Sequence, residues 1–478
     1  MLRGLDLHIP AGQRVLLAGP SGSGKSTLLR ALAGLLLTAA DGDLSGLVLI
    51  GGVPVGESDD RPALLMQDPT AGIVAETVGR DVAFGLENLG VAQPDIWPRV
   101  AAALHSSAFP YPPGHSTSAL SGGESQRLAL AGSLVLASPV LLLDEPTSML
   151  EPDAASDVRD AVRRHADALQ ATTVVVEHHL EPWLDFAERL VVLDADGTLV
   201  ADGHPRTVLR ERRDYLADAG VWVPGMPPPQ LTPVPADLVA PWREGPAELV
   251  RGDDVTLALR DRPRRAGSTP TVALSDVDAT VSSGQVLAVT GASGAGKSSL
   301  VSVLAGLRRP TGGTVLAAAE LATRRGREPS RWGSRDLAAR LAWVPQIAEQ
   351  GMVGRTVGDE VLVAARACGR DLHEAGRRAA GLLEMFGLAP LAQASPYHLS
   401  GGEQRRLMVA AALVAGPYGV LLDEPTVGQD RRTWAAVLGA VSAARSAGAG
   451  VALATHDRPA VEAVADTTLQ LVDGRVAS

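Results

Sequence analysis

The chain lays out one plan twice, and this limits its possible folds more than any other feature. GPSGSGKST (19–27) returns as GASGAGKSS (291–299), LSGGESQR (120–127) as LSGGEQRR (399–406), and VLLLDEPT (140–147) as GVLLDEPT (419–426). Self-similarity at this period predicts two copies of one domain in tandem. Lys25 and Lys297 stand 272 positions apart, whereas Gln67 and Gln346, Ser121 and Ser400, and Glu145 and Glu424 stand 279 apart. The second copy therefore carries about seven additional residues before Gln346. The Arg-rich LATRRGREPSRWGSRD (321–336) is the expected place for them, as a solvated loop.

Between the copies, VWVPGMPPPQLTPVPADLVAPWREGP (221–246) holds eight prolines. Such a run disfavours regular structure and predicts a semi-rigid, extended linker. The expected domains are 1–220 and 247–478, with 221–246 between them. Within each copy, apolar runs such as VLLAG, VLLLD and TVVVE alternate with helix-like segments, the pattern of an α/β fold with a mostly parallel sheet buried on both faces.

A net charge of −11 argues against a nucleic-acid partner. A single cysteine, Cys368, rules out an internal disulfide framework and a cysteine-based zinc site, and fits a reducing cytosol. The opening MLRGLDLHIPAGQ has no long apolar core, so no signal peptide is expected. The longest nearly apolar runs, 128–143 and 407–422, fall short of the roughly 20 residues a spanning helix needs. Ser138-Pro139 and Gly416-Pro417 interrupt them, which predicts a buried helix, a turn and a buried strand in each, within a soluble protein.

GPSGSGKST fits G-x-x-x-x-G-K-[ST] between the apolar RVLLAG and the helical LLRALAGLL, the context that marks a phosphate-binding P-loop. Backbone amides around Gly19, Gly22 and Gly24 would cradle phosphate, Lys25 would neutralise it, and Ser26, followed by Thr27, would offer its hydroxyl to Mg²⁺. Gly291, Gly294, Gly296, Lys297, Ser298 and Ser299 repeat these positions. Asp144 and Asp423, at the ends of buried strands, suit the metal; Glu145 and Glu424 suit the base or orienter of an attacking water. Gln67 in LLMQDP and Gln346 in AWVPQI each follow an apolar strand. His456 ends VALATH, and its counterpart lies in VVVEHH. An Ala-acid pair stands nine positions beyond both His456 and His178, which selects His178 to hold the transferred phosphate and leaves His179 as an exposed loop residue.

LSGGE poses a separate question. Ser121 and Glu124, like Ser400 and Glu403, have the spacing of a capping box at a helix start. Each glycine there costs roughly 0.5–1 kcal/mol against alanine, yet Gly122 and Gly123, and again Gly401 and Gly402, stand side by side. Bare Cα atoms at a helix N-terminus let an anion approach free amides.

P-loop, Gln, LSGGE, DEPT and strand-end His, in this order and twice, closely resemble the ATP-binding subunits of ABC transporters over nearly the whole chain apart from the linker. The resemblance implies two P-loop ATPase domains, each with a parallel sheet core and a helical subdomain, that use ATP and Mg²⁺. It also implies head-to-tail stacking, with each ATP between the P-loop of one half and the LSGG of the other. Lys25, Asp144 and Glu145 would then work with Ser400, Gly401 and Gly402, and Lys297, Asp423 and Glu424 with Ser121, Gly122 and Gly123. Two features depart from the family pattern. The second copy has Leu259 of VTLALR (255–260) where an aromatic residue is expected upstream of the P-loop, and the first copy starts only 18 residues before Gly19, without that strand unless the true start lies further upstream. SMLE (148–151) and VGQD (427–430) replace the usual residues after DEPT.

QDPTAGIVAETVGRDVAFGLENLG (67–90) resembles the ATPases of energy-coupling-factor importers for vitamins and transition-metal ions, and ERRDYLADAGVWVP adds to the likeness. That subtype implies a peripheral position on the cytoplasmic face of the cell membrane, a transmembrane coupling protein touching the region after Gln67, and a small membrane component that binds the substrate. The alternatives are the fused ATPase of another importer, such as a sugar system, and a soluble translation factor of the ABC type. The latter carries a long charged helical linker where this chain is proline-rich. The 96 positions from Lys25 to Ser121 leave no room for the coiled coil of DNA-repair relatives.

Overall fold

The computed structural model of the chain describes residues 2–37, 44–58, 61–148, 150–259 and 271–477. Met149 of the SMLE stretch and Arg260 of VTLALR lie outside these. The chain divides into two compact units, Met1–Pro227 with Asp430–Arg432, and Pro228–Gln429 with Thr433–Ser478.

In the first unit the P-loop strand Arg14–Ala18 runs parallel between Thr172–Val176 and Arg189–Leu193. The full sheet order is Ala63–Leu65, Val140–Asp144, Thr172–Val176, Arg14–Ala18, Arg189–Leu193 and Leu199–Gly203, antiparallel only at the last edge. Four of the five residues in RVLLA, VLLLD and TTVVV are buried, as a sheet covered on both faces requires. The second unit repeats this order with Leu341–Val344, Gly419–Asp423, Gly450–Ala454, Val286–Gly291, Thr467–Val472 and Arg475–Val476.

The units differ upstream of their P-loops. In the second, Thr271–Ser282, Glu248–Leu259 and Gly312–Ala317 form a three-stranded antiparallel sheet. In the first, Leu2, Leu5, Leu7 and Ile9 pack against the main sheet without forming a strand, and the separate antiparallel sheet among the described residues is the short pair Leu49–Ile50 and Val53–Pro54, downstream of the P-loop.

A helical subdomain with its own core completes each unit. In the first, Val78, Val82 and Leu86 of helix Val78–Asn88 meet Ile96, Val100 and Leu104 of Gln93–Ser106 and Leu128 and Ala131 of Gly122–Leu134. The i, i+4, i+8 spacing of the first two sets and the i, i+3 spacing of the third put each on one helix face. The second has Val357–Ala367, Leu372–Met385 and Gly401–Val414.

Two segments are more structured than their composition predicts. From Pro228 on, the proline-rich stretch packs onto the second unit. Leu238 and Val239 of the short helix Ala236–Val239 are buried, and Trp242 sits under the guanidinium groups of Arg378 and Arg370, 4.7 and 5.5 Å from its ring centre. Arg377 pairs with Asp237 at 2.6 Å. Proline has no N–H to satisfy, so such a segment can lie on a surface held by a few apolar and aromatic side chains. The Arg-rich segment is likewise not simply a solvated loop: Leu321 and Trp332 enter the second unit's core, and Arg340 covers Trp332 at 5.4 Å.

Candidate nucleotide sites

Both Gly-rich loops run from a buried strand end into a helix, Lys25–Leu32 or Lys297–Leu304. The residues before these helices, Gly24 and Gly296, have φ of 88° and 101°, a left-handed conformation costly for any residue with a Cβ. Gly19 is fixed by space as well, since a Cβ there would lie 2.5 Å from the Leu193 carbonyl oxygen. Lys25 is buried, and its Nζ donates to the carbonyls of Gly19 at 2.9 Å and Pro20 at 2.8 Å. Lys297 repeats this with Gly291 at 2.8 Å and Ala292 at 3.2 Å. Burial lowers the Lys25 pKa, with the charges of Glu145 and Asp144 opposing.

The aspartates meet the P-loop serines. Ser298 Oγ donates to Asp423 Oδ1 at 2.8 Å, and Ser26 bonds Asp144. Burial pushes both carboxyls up to about 6, with the neighbouring glutamate adding to the rise and the serine bond opposing it. Asp144 Oδ1 and Glu424 Oε2 are buried and without a hydrogen-bond partner. Among the described residues no cluster of three or more His, Cys, Asp and Glu could cage a metal. In the first unit a hydroxyl, Ser26, plus one carboxylate with an unsatisfied oxygen, Asp144, instead fits Mg²⁺ that takes its other ligands from water and nucleotide phosphate, and Ser298 with Asp423 repeats the donor set.

Glu145 and Glu424 have φ of 50° and 49°, rare for a residue other than glycine and present in both units. The amide of Glu145 donates to the Val176 carbonyl and that of Glu424 to the Ala454 carbonyl, both at 2.9 Å. Each glutamate thus projects over the end of the next strand, where the histidines lie. His178 Nε2 is 3.2 Å from Glu145 Oε1, and His456 Nδ1 is 3.0 Å from Glu424 Oε1. His179 instead stacks on Trp222 with ring centres 5.0 Å apart. Gln67 Nε2 donates to Glu145 Oε1 at 2.9 Å. Burial alone would raise Glu145, but His178, Lys25 and Gln67 outweigh it and hold the carboxyl below its ordinary value. Burial likewise opposes the charge on His178, and Glu145 overcomes this to raise its pKa.

Both LSGG helices begin at their first glycine behind a complete capping box. Ser121 N donates to Glu124 Oε2 at 2.7 Å, and Ser400 N to Glu403 Oε2 at 2.9 Å, with the reciprocal serine bonds at 3.4 Å. A Cβ on Gly401 would meet nothing within 4 Å. The cap fixes the backbone and engages the serine amides, while the glycines place no side chain over the helix start.

Motif reading passed over two site positions. Glu177, beside His178, accepts from Thr147 N at 3.1 Å and Thr147 Oγ1 at 2.5 Å. Behind the glutamates, Gln126 Nε2 donates to the Glu145 carbonyl at 3.3 Å, whereas the buried Arg405 binds the Glu424 carbonyl and, at 2.7 Å, that of Gln346. Burial lowers Arg405 to about 10, with Glu424 and Asp423 opposing. Aligning the two copies position by position exposes both differences, Glu177 against Thr455 and Gln126 against Arg405.

Loops of this build on doubly covered parallel sheets hold the phosphates of nucleoside triphosphates, and this chain carries two. The family model described as ABC transporter matches residues 2–148 and 274–427, more than half of the chain, which therefore belongs to the ABC transporter ATP-binding family and is an ATPase with two fused domains. It is 32% identical over 494 residues to the putative HMP/thiamine import ATP-binding protein YkoD of Bacillus subtilis, covering 98% of this chain and 86% of that one. A putative ABC transporter ATP-binding protein of Streptomyces coelicolor, SCO2324, is 32% identical over 516 residues, covering 99% and 90%. Among solved structures, the archaeal ribosome recycling factor aABCE1 in complex with the stalk protein aP1 matches with a TM-score of 0.58 and 22% identity, over 98% of this chain and 86% of that one. At that identity the match speaks for the tandem fold alone.

Proposed function

We propose that this chain is the ATP-hydrolysing motor of an importer of the energy-coupling-factor type, taking up a vitamin, a vitamin precursor or a transition-metal ion. The observation that carries this reading is the near full-length similarity to a protein named for HMP and thiamine import. The TVGRDVAFGLENLG segment supports it. No helix among the described residues is long and apolar enough to cross a membrane, so the reading requires membrane partners: a transmembrane coupling protein and a small substrate-binding component. A groove in each unit suits the coupling protein. In the first it is lined by Met66, Ile73, Val74 and Phe84, with Val74 and Phe84 exposed; in the second by Trp343, Val353 and Met408, with Val353 71% exposed.

In this reading the amides and lysine of each P-loop bind the β- and γ-phosphates. Ser26 with Asp144, and Ser298 with Asp423, hold Mg²⁺, which when bound neutralises charge building on the phosphate oxygens. Glu145 or Glu424 accepts a proton from water as the water oxygen bonds to the γ-phosphorus and the bond to the ADP oxygen breaks. His178 and His456 orient the glutamate and the departing phosphate, and Gln67 and Gln346 sense whether the site is loaded. The LSGG helix starts, Ser121 with Gly122 and Gly123 and Ser400 with Gly401 and Gly402, complete the site of the opposite half. The proposed domains are 1–220 and 247–478, joined by 221–246.

Affinity purification from membranes, followed by ATP-driven uptake in vesicles, tests the transport reading. Recovery of small integral membrane proteins, with uptake that stops when ATP is withheld, is expected. Recovery of ribosomes without such proteins would favour a translation factor.

A further inference from the structure

Glu177 and Thr455 hold the same place in the two units. Each follows the residue, Val176 or Ala454, whose carbonyl accepts from the amide of the catalytic glutamate. Both are buried. In the first unit one oxygen of Glu177 receives two bonds from Thr147, at 3.1 Å from the amide and 2.5 Å from the hydroxyl. In the second, the matching Thr426 has a buried hydroxyl with no partner. Besides Thr147, the polar groups facing Glu177 are Glu145 and His178. A carboxyl therefore ties down the DEPT turn in one unit and not in the other.

We propose that Glu177 is a positioning residue of the first ATP site only, fixing the DEPT turn through Thr147 and so keeping Glu145 aimed at the water. This rests on the reading that Glu145 and Glu424 are the catalytic glutamates. Glu145 stands at a positive φ, a conformation that persists only where neighbouring bonds over-determine it. The Ser148 amide holds the Glu145 carbonyl at 3.3 Å, and the Ser148 hydroxyl holds it at 3.1 Å. Thr147 is the link between this bond pair and the strand end. Without Glu177, two donors on the half-buried Thr147 lose their acceptor, a loss the turn relieves by shifting. The P-loop contacts lie elsewhere, so nucleotide affinity is spared while the water-activating geometry loosens.

The test uses full chains in which one site alone turns over: Glu424→Gln leaves the first, Glu145→Gln the second. In the Glu424→Gln chain, Glu177→Thr should lower kcat about tenfold, the effect of one lost bond pair, with KM for ATP within about two-fold. Glu177→Gln keeps an oxygen facing both Thr147 donors and should restore at least half of the parent kcat. A kcat for Glu177→Thr within two-fold of the parent, or a Glu177→Gln chain as slow as Glu177→Thr, overturns the proposal. Should Glu177→Thr not fold, Glu177→Gln decides alone: at least half of the parent kcat supports the proposal, and less than half overturns it. If either single-site chain instead turns over ATP at the rate of the natural protein, the assignment of Glu145 and Glu424 has failed, whatever Glu177 does.

Discussion

Gln67 Nε2 donates a 2.9 Å hydrogen bond to Glu145 Oε1, so the glutamate proposed to act on water is held by the residue that stands just before the groove proposed for a membrane partner. A pull on the segment after Gln67 would move the base. Gln67→Ala should therefore lower kcat of the first site about tenfold, the size of one hydrogen bond to a charged group, and weaken its response to membrane partners. Turnover of the Glu424→Gln chain with and without Gln67→Ala measures this. Identical rates would dissociate Gln67 from the base.

The P-loop predictions separate space from conformation. Gly19→Ala would push a Cβ to 2.5 Å from the Leu193 carbonyl oxygen at a φ of 153°. Gly22→Ala meets nothing within 4 Å but sits at a φ of 81°. Gly19→Ala should lower the first unit's melting temperature well beyond the strain of about 1–3 kcal/mol that Gly22→Ala introduces, while both weaken nucleotide binding at that site. Calorimetric melting together with titration of a non-hydrolysable ATP analogue checks both. Equal melting of the two variants would contradict the geometry.

Burial pushes the Glu177 carboxyl up to about 7 against an ordinary 4.5; the Glu145 charge adds to this, and the Thr147 bonds and His178 oppose it. Between these values the folded chain keeps a proton that the unfolded chain has released. Stability from this group is thus full at pH 4.5 and below and drains away as pH rises to 7. Glu177→Gln cannot titrate. Its stability relative to the natural protein should rise across that window, by up to roughly 3 kcal/mol, and stay level above it. Denaturant unfolding at several pH values, without nucleotide or metal, reads the difference; a pH-independent difference would contradict it.

The proposed crossed pairing of P-loop and LSGG gives its own prediction. Gly402→Val in the Glu424→Gln chain should abolish turnover at the site held by Lys25, because a branched side chain would cover amides needed by the γ-phosphate. Gly123→Val in the same chain should do far less. Equal effects would argue that each half completes its own nucleotide.

Much of this was legible from the sequence because single residues determine it. The capping boxes at Ser121 and Ser400 were readable from Ser-x-x-Glu spacing, and the strands ending in Asp144 and Asp423 from unbroken apolar runs. What stayed hidden depends on long-range packing. Nothing local in PADLVAPW says that Trp242 will lie under Arg378, or that Trp332 will anchor an Arg-rich segment in the core. Glu177 escaped because a lone acid beside two histidines reads as a surface residue, whereas in the fold it is buried at the place Thr455 holds in the second unit.

The most direct test is ATP turnover by the chain carrying both Glu145→Gln and Glu424→Gln, measured beside its ATP affinity. The assignment predicts a fall of at least about a hundredfold in turnover, the lower end of what a positioned base contributes, with ATP still bound. Turnover at the rate of the natural protein would contradict it.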